Sequence, residues 1–244
     1  MKSKITVCFD FGNTRLKCAV FDNDILKKVE VLKDDSPATI EYLLHQYKPD
    51  ASILSSVIKH EPAIEDLLAA KTTFHKLNHA SKLPLTTPVA KPETIGADRL
   101  AICAAAVTLF PNQHCLSIGL GTCVTYNFTN KYHEFLGGSI SPGLHMRFRA
   151  MHEQTAFLPL VKAQHNFPLV GYDTNTNLQS GVILGMSKEI DGIVEAYQEK
   201  YNNLQVLLTG GDMPFFTPHL RSKLLADPNL LYQGLYAISE CNNA

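Results

Sequence analysis

Apolar residues fall along this chain in short runs separated by polar punctuation, and the spacing inside each run separates strand from helix. Ile5 to Phe9 is a compact apolar run that predicts a buried strand, Asp10 to Thr14 a polar glycine-containing turn, and Leu16 to Asp22 a second strand. Asn23-Asp24 turns the chain into a third, Ile25 to Val31. Period-four spacing then takes over: Ile40, Leu43, Leu44 and Tyr47 make one helical stripe, with Ser36 placed to cap it and Pro37 at its first position. Ala51 to Val57 predicts another strand and Pro62 to Ala70 another helix.

Pro84, Pro88 and Pro92 keep residues 83–92 extended and irregular. An alanine-rich helix is expected over 99–110, with Asp98 as its N-cap and Pro111 as its stop. The opening order of elements then recurs. A strand at 115–118, a turn at 119–122, a strand at 123–128, a polar turn at 129–131 and a strand at 132–136 read as a second copy of the first unit. Helices are expected over 142–154 and 178–200, a last buried strand over 205–209, and a terminal helix over 218–226.

The chain has 244 residues, 45% of them apolar and 18% charged, which suits a folded globular protein. Two domains of 1–112 and 113–244, packed with a cleft between them, fit that length and the repeat. The 22 Lys+Arg against 23 Asp+Glu give no net field for nucleic acid or a membrane surface. The first apolar run is too short for a signal segment, so a cytoplasmic location is expected. The six cysteines include no C-x-x-C pair and five lie in apolar segments, as structural thiols would.

Candidate chemistry sits where strands end. Asp10-Phe11-Gly12-Asn13-Thr14 places a carboxylate beside a turn whose backbone N–H groups can approach phosphate oxygens. There Asp10 would hold Mg²⁺, while Asn13, Thr14 and Lys17 would donate to a transferring phosphoryl group. The same residues also suit an ordinary hairpin turn. A second such turn, Gly119-Leu120-Gly121-Thr122, could grip the other end of a triphosphate. Thr209-Gly210-Gly211-Asp212 could let an adenine ring lie on backbone, or simply turn the chain.

Six elements carry a resemblance to a known family. They are Asp10-x-Gly-Asn-Thr with Lys17, Gly96-Ala97-Asp98-Arg99, Gly121-Thr122, Gly137-Gly138-Ser139-Ile140-Ser141-Pro142-Gly143, Thr155-Ala156-Phe157-Leu158-Pro159 and Thr209-Gly210-Gly211-Asp212. In order and spacing, from about residue 5 to residue 212, the chain resembles the type III pantothenate kinases. The resemblance implies an α/β, duplicated ribonuclease H-like fold of the actin-like ATPase type. It also implies ATP with Mg²⁺, a monovalent cation (K⁺ or NH₄⁺), and a homodimer whose substrate site lies at the subunit interface. It implies phosphorylation of pantothenate to 4′-phosphopantothenate, the first step of coenzyme A synthesis.

The resemblance makes Asp98 the general base toward the pantothenate hydroxyl, with Gly96, Ala97 and Arg99 binding substrate and Thr174 reaching the partner subunit's substrate. Asp10, Gly12, Asn13, Thr14, Lys17, Gly121, Thr122, Gly210 and Gly211 would bind ATP and its phosphates. The chemistry of Asp98 and Arg99 agrees. A carboxylate can take the proton of an alcohol as bonding to phosphorus develops, and a guanidinium offers a planar fork to a substrate carboxylate. Capping and a solvated first helical turn are the plain structural roles for the same two residues, and Thr174 could likewise cap a helix.

Two positions depart from the family pattern. Gly119 and Asn127 stand where members usually carry aspartate. Asn127 could still offer a carbonyl oxygen to the metal beside Asp10. Two other readings stay open: a non-catalytic regulatory or nucleotide-binding homologue, and a kinase for another hydroxyl acid.

Overall fold

A computed structural model describes residues 3–243. It contains two five-stranded sheets with helices, and the two sheets share one topology. In the first unit, strands β1 (Ile5–Phe11), β2 (Leu16–Asp22), β3 (Ile25–Val31), β4 (Ala51–Ser56) and β5 (Thr73–Lys76) lie in the order β3-β2-β1-β4-β5. In the second, β6 (His114–Leu120), β7 (Cys123–Thr129), β8 (Phe135–Pro142), β9 (Leu204–Thr209) and β10 (Leu225–Ala226) lie in the order β10-β9-β6-β7-β8. Read outward from β1 and from β6, the arrangements match. An antiparallel hairpin partner lies on one side, and on the other are two parallel strands reached by crossovers. The repeat expected from element order is therefore a repeat of topology.

Helices α1 (Pro37–Tyr47), α2 (Pro62–Lys71) and α3 (Ala97–Leu109) belong to the first unit. Helices α4 (Leu144–Glu153), α5 (Thr174–Gln179), α6 (Gly185–Lys200) and α7 (Met213–Phe216) belong to the second. The compact units are Met1–Pro111 with His133–Phe135 and Asn229–Ala244, and Asn112–Tyr132 with Leu136–Pro228. Thus the last helix, α8 (Leu230–Asn242), returns to the first unit, a crossing that a single cut after residue 112 does not describe.

The start of α1 forms as its sequence requires. Ser36 accepts from the Thr39 N–H at 3.3 Å and Pro37 fills the first turn. Ile40, Leu43 and Leu44 are then buried against one face of the first sheet with Val7, Phe9 and Phe11. On the opposite face Cys8, Ala19 and Ile53 pack with Ala101 and Ala104 of α3 and with Tyr232, Leu235 and Ile238 of α8.

Several expectations are corrected. The strand placed at 132–136 lies at Phe135–Pro142 and runs on through Gly137 and Gly138. Residues 218–226 form no α-helix; a single 3-10 turn at Thr217–His219 is all the helix they share in. The Asp191 carboxylate accepts from the N–H groups of Arg221 and Ser222 at 3.0 and 3.1 Å, holding that segment out of helical geometry, and β10 follows. The helix expected over 178–200 begins earlier, at Thr174, and passes through a π-helical turn at Ser180–Leu184. Neither β5 nor α8 was expected. Gly234 in the middle of α8 weakens the helical signal, because glycine costs about 1 kcal/mol in a helix interior.

Packing explains that glycine. A Cβ at position 234 would lie 1.7 Å from the Ala101 backbone oxygen, so only glycine lets α8 approach α3 this closely. Gly234→Ala is expected to lower the unfolding free energy by about 3 kcal/mol, in the range of overpacked core sites. Urea denaturation checks this. Adding Ala101→Gly should not restore stability, because the obstructing atom belongs to the backbone.

Candidate active site

Strand alternation decides where Asp10 goes. Val7, Phe9 and Phe11 face α1 and α2, so Cys8 and Asp10 face the side covered by α3 and α8. Burial there is the largest cause raising the Asp10 carboxyl to about 6, and the like charge of Asp98 is the second. Lys17 opposes them, from its position directly across the β1–β2 ladder. Tyr232 of α8, almost fully buried, lies close enough to Asp10 that the carboxylate helps hold its phenol well above the ordinary range, after burial. Sequence reading missed Tyr232 because it missed the helix that carries it.

Asp98 is not the N-cap of its helix. Gly96 occupies the cap without a side-chain bond, Ala97 is the first helical residue, and Asp98 sits in the first turn. At that end the unpaired backbone N–H groups and the helix dipole favour an anion. Arg99, one position on, places its guanidinium 5.5 Å from the ring centre of Phe135. Asn13 and Thr14 are exposed at the tip of the β1–β2 hairpin, which closes through the Gly12 N–H donating to the Arg15 oxygen at 3.3 Å. Arg15 adds a cation to that turn which the motif alone did not single out.

In the second unit, three segments meet around the end of β6. Gly119 is a strand residue, paired with Thr125 on β7 and Thr209 on β9, and the turn proper is Gly121-Thr122. The Asp212 N–H donates to the Leu120 oxygen at 3.1 Å, and Gly143, which caps α4, donates to the Thr122 oxygen at 3.1 Å. Gly210 makes the approach possible. Its φ is +105°, and a Cβ there would stand 2.1 Å from the Leu120 oxygen. The structure therefore brings Gly121, Thr122, Gly210 and Gly211 together. Beside them Asp212 has its carboxyl raised by burial, with the charge of His145 opposing.

Arg147 holds the approach to this turn. Its guanidinium donates to the Pro142 oxygen and to Ser141 Oγ, both at 2.8 Å, and pairs with Glu189, which also accepts from the Tyr126 hydroxyl at 2.9 Å. Tyr126, Arg147 and Glu189 were not foreseen, since nothing in the sequence links the three positions.

Asn127 is fully buried in β7. Its amide nitrogen donates to the Ser117 oxygen at 3.0 Å and to Thr125 Oγ1 at 3.2 Å, so that nitrogen is engaged within the strand pair. Among the described residues no three His, Cys, Asp or Glu side chains gather as a metal-holding group. Thr174 is exposed as the first residue of α5, and it is Asp173 that caps the helix, in a reciprocal capping box with Thr176.

A family model described as type III pantothenate kinase matches residues 6–196. A type III pantothenate kinase from Christiangramia forsetii is 37% identical over 240 residues, covering 98% of this chain and 99% of that one. One from Bacteroides fragilis is 37% identical with the same coverage. Among solved structures, a glucokinase from Balamuthia mandrillaris superposes with a TM-score of 0.58 at 9% identity, covering 98% of this chain and 94% of that one. That likeness supports the actin-like ATPase fold class and nothing finer. Given the extent of the family match and of the two curated relatives, the chain belongs to the type III pantothenate kinase family.

Proposed function

We propose that this protein transfers the terminal phosphoryl group of ATP to the primary hydroxyl of pantothenate, giving 4′-phosphopantothenate, and that it does so in the cytoplasm as a homodimer. Family membership supplies the reaction. The observation that carries its placement is the juxtaposition of Asp98 with Asp10, on a face where burial and the like charge of Asp98 raise the Asp10 carboxyl. Asp98, at the open end of α3, takes the proton of the attacking hydroxyl, and Arg99 with Gly96 and Ala97 orients the substrate carboxylate. Asn13, Thr14 and Lys17 donate to phosphoryl oxygens around Gly12, while Gly121, Thr122, Gly210 and Gly211 receive the remaining phosphates and the base.

The residues present fit Mg²⁺. Asp10 and Asp98 are hard oxygen donors whose mutual repulsion a cation relieves, and Mg²⁺ commonly takes one or two carboxylates and completes its shell with phosphate and water. When bound it neutralises charge developing on the transferred group. K⁺ or NH₄⁺ would add a further positive charge beside the phosphates. The dimer reading rests on Phe157, 96% exposed, and on Leu169, Val170 and Tyr172, all exposed within the segment leading to Thr174. Bare apolar side chains along the segment that leads to Thr174 suit a partner subunit.

Asp98→Asn is expected to reduce pantothenate-dependent ADP release by 10²- to 10⁴-fold, the usual worth of a positioned base, with ATP affinity retained. Retention of most turnover would remove Asp98 from the base role.

Asp10 gives a prediction of opposite sign for stability and activity. Its folded value of about 6 lies above the 3.8 of an ordinary aspartate, so the folded state holds the proton more tightly than the unfolded one. The cost of ionising it is absent below both values, grows between them and is complete above the folded one. Asp10→Asn should abolish turnover yet raise the stability of the nucleotide-free protein at pH 8 by on the order of 1–3 kcal/mol. That gain should disappear near pH 4, as followed by denaturation at each pH.

If the site is shared between subunits through Thr174, mixing and reassembling Asp98→Asn and Thr174→Val proteins should restore up to about a quarter of wild-type turnover. Half the random dimers are then mixed and each has one intact site. Additive residual activity alone would reject sharing.

A further inference from the structure

A second group of polar residues lies at the opposite end of the second sheet. A cavity of about 350 Å³ opens where β6 and β9 begin, lined by His114, Lys131, Lys200 and Tyr201 with the carboxamides of Asn112 and Asn202 among its other walls. His114 and Leu204 are the first residues of β6 and β9 and are paired in register. The Gly121-Thr122 turn follows the other end of β6, seven residues away, which is about 20 Å at the rise of an extended strand. The cavity is thus separate from the residues assigned to ATP.

Its chemistry is one-sided. Two ammonium groups line it and no carboxylate does. Among the described residues neither Lys131 nor Lys200 takes part in an ion pair; each lies over a neighbouring tyrosine ring, at 5.2 and 5.4 Å. The His114 ring stacks on Phe128 at 5.9 Å and leans on Tyr201 at 5.2 Å, so it is held rigidly. Its Nδ1 is buried and takes no hydrogen-bond partner among the described residues. Burial and then the charge of Lys131 hold its imidazole below the usual range.

Unpaired cations converging on a concavity, with carboxamide donors around the rim and no acid to neutralise them, make a receptor for negative charge. The volume lies in the range of small-metabolite sites. We infer that this cavity binds a small multivalent anion, a phosphate-bearing or polycarboxylate metabolite, at a site distinct from the catalytic one. Lys131 and Lys200 supply the charge, and Asn112 and Asn202 the neutral donors.

The test follows the His114 imidazole by histidine-selective NMR of the full chain, its signals assigned with His114→Gln, during titration with inorganic phosphate and then with citrate. Sodium chloride at matched ionic strength is the control. The expected result is a saturable shift of the His114 signals with at least one of the two anions, weakened at least tenfold in Lys131→Ala/Lys200→Ala. Turnover without added anion should be unchanged in that variant, whose substitutions lie outside the catalytic residues. His114 signals that move no more with either anion than with chloride, or that move equally in the double variant, overturn the assignment. Because the readout sits on His114, phosphate taken up by the ATP-binding turns does not imitate it.

Discussion

The contact on which the catalytic face of the first unit depends is the close approach of α8 to α3, with the Ala101 carbonyl set against a position where only Gly234 fits. Helix α3 carries Asp98 and Arg99 in its first turn, and α8 carries Tyr232. Their packing closes the face of the sheet onto which β1 points Asp10. The last helix of the chain thereby fixes the environment of a carboxylate near its beginning. The small side chains of α3, Ala101, Ala104 and Ala105, follow from the same constraint, since larger ones would push the helices apart.

That closure is chemically costly by design. A carboxylate covered on one side by apolar helices and faced by a second carboxylate resists ionisation, and Lys17 across the hairpin relieves it only partly. Such a site is poor for stability and good for gathering a cation, which supplies the missing counter-charge when it binds.

The second unit solves a different problem with the same topology. It brings together three backbone segments, the end of β6, the end of β9 and the start of α4, with Gly210 tolerating the approach to Leu120 and Gly143 hydrogen-bonded to Thr122. In both units the candidate ligand residues therefore cluster where the central strand ends, as open sheets with crossover helices generally arrange them. The Arg147–Glu189 pair, joined by Ser141 and the Tyr126 hydroxyl, braces that approach from four separate elements.

The sequence by itself determined the strands with continuous apolar runs, the start of α1, the duplicated order of elements, and the turns and motifs that align with the family. Those signals are local: alternation, capping and glycine punctuation act over a few residues. It failed where distant groups override local preference. Asp191 draws the N–H groups of residues 221 and 222 out of a helix, and Gly234 weakens the signal of α8 for the sake of Ala101. Only the tertiary structure decided that Asp10 meets Asp98 and Tyr232, and that Arg147 meets Glu189, because charge and burial act through space between residues that no spacing along the chain relates.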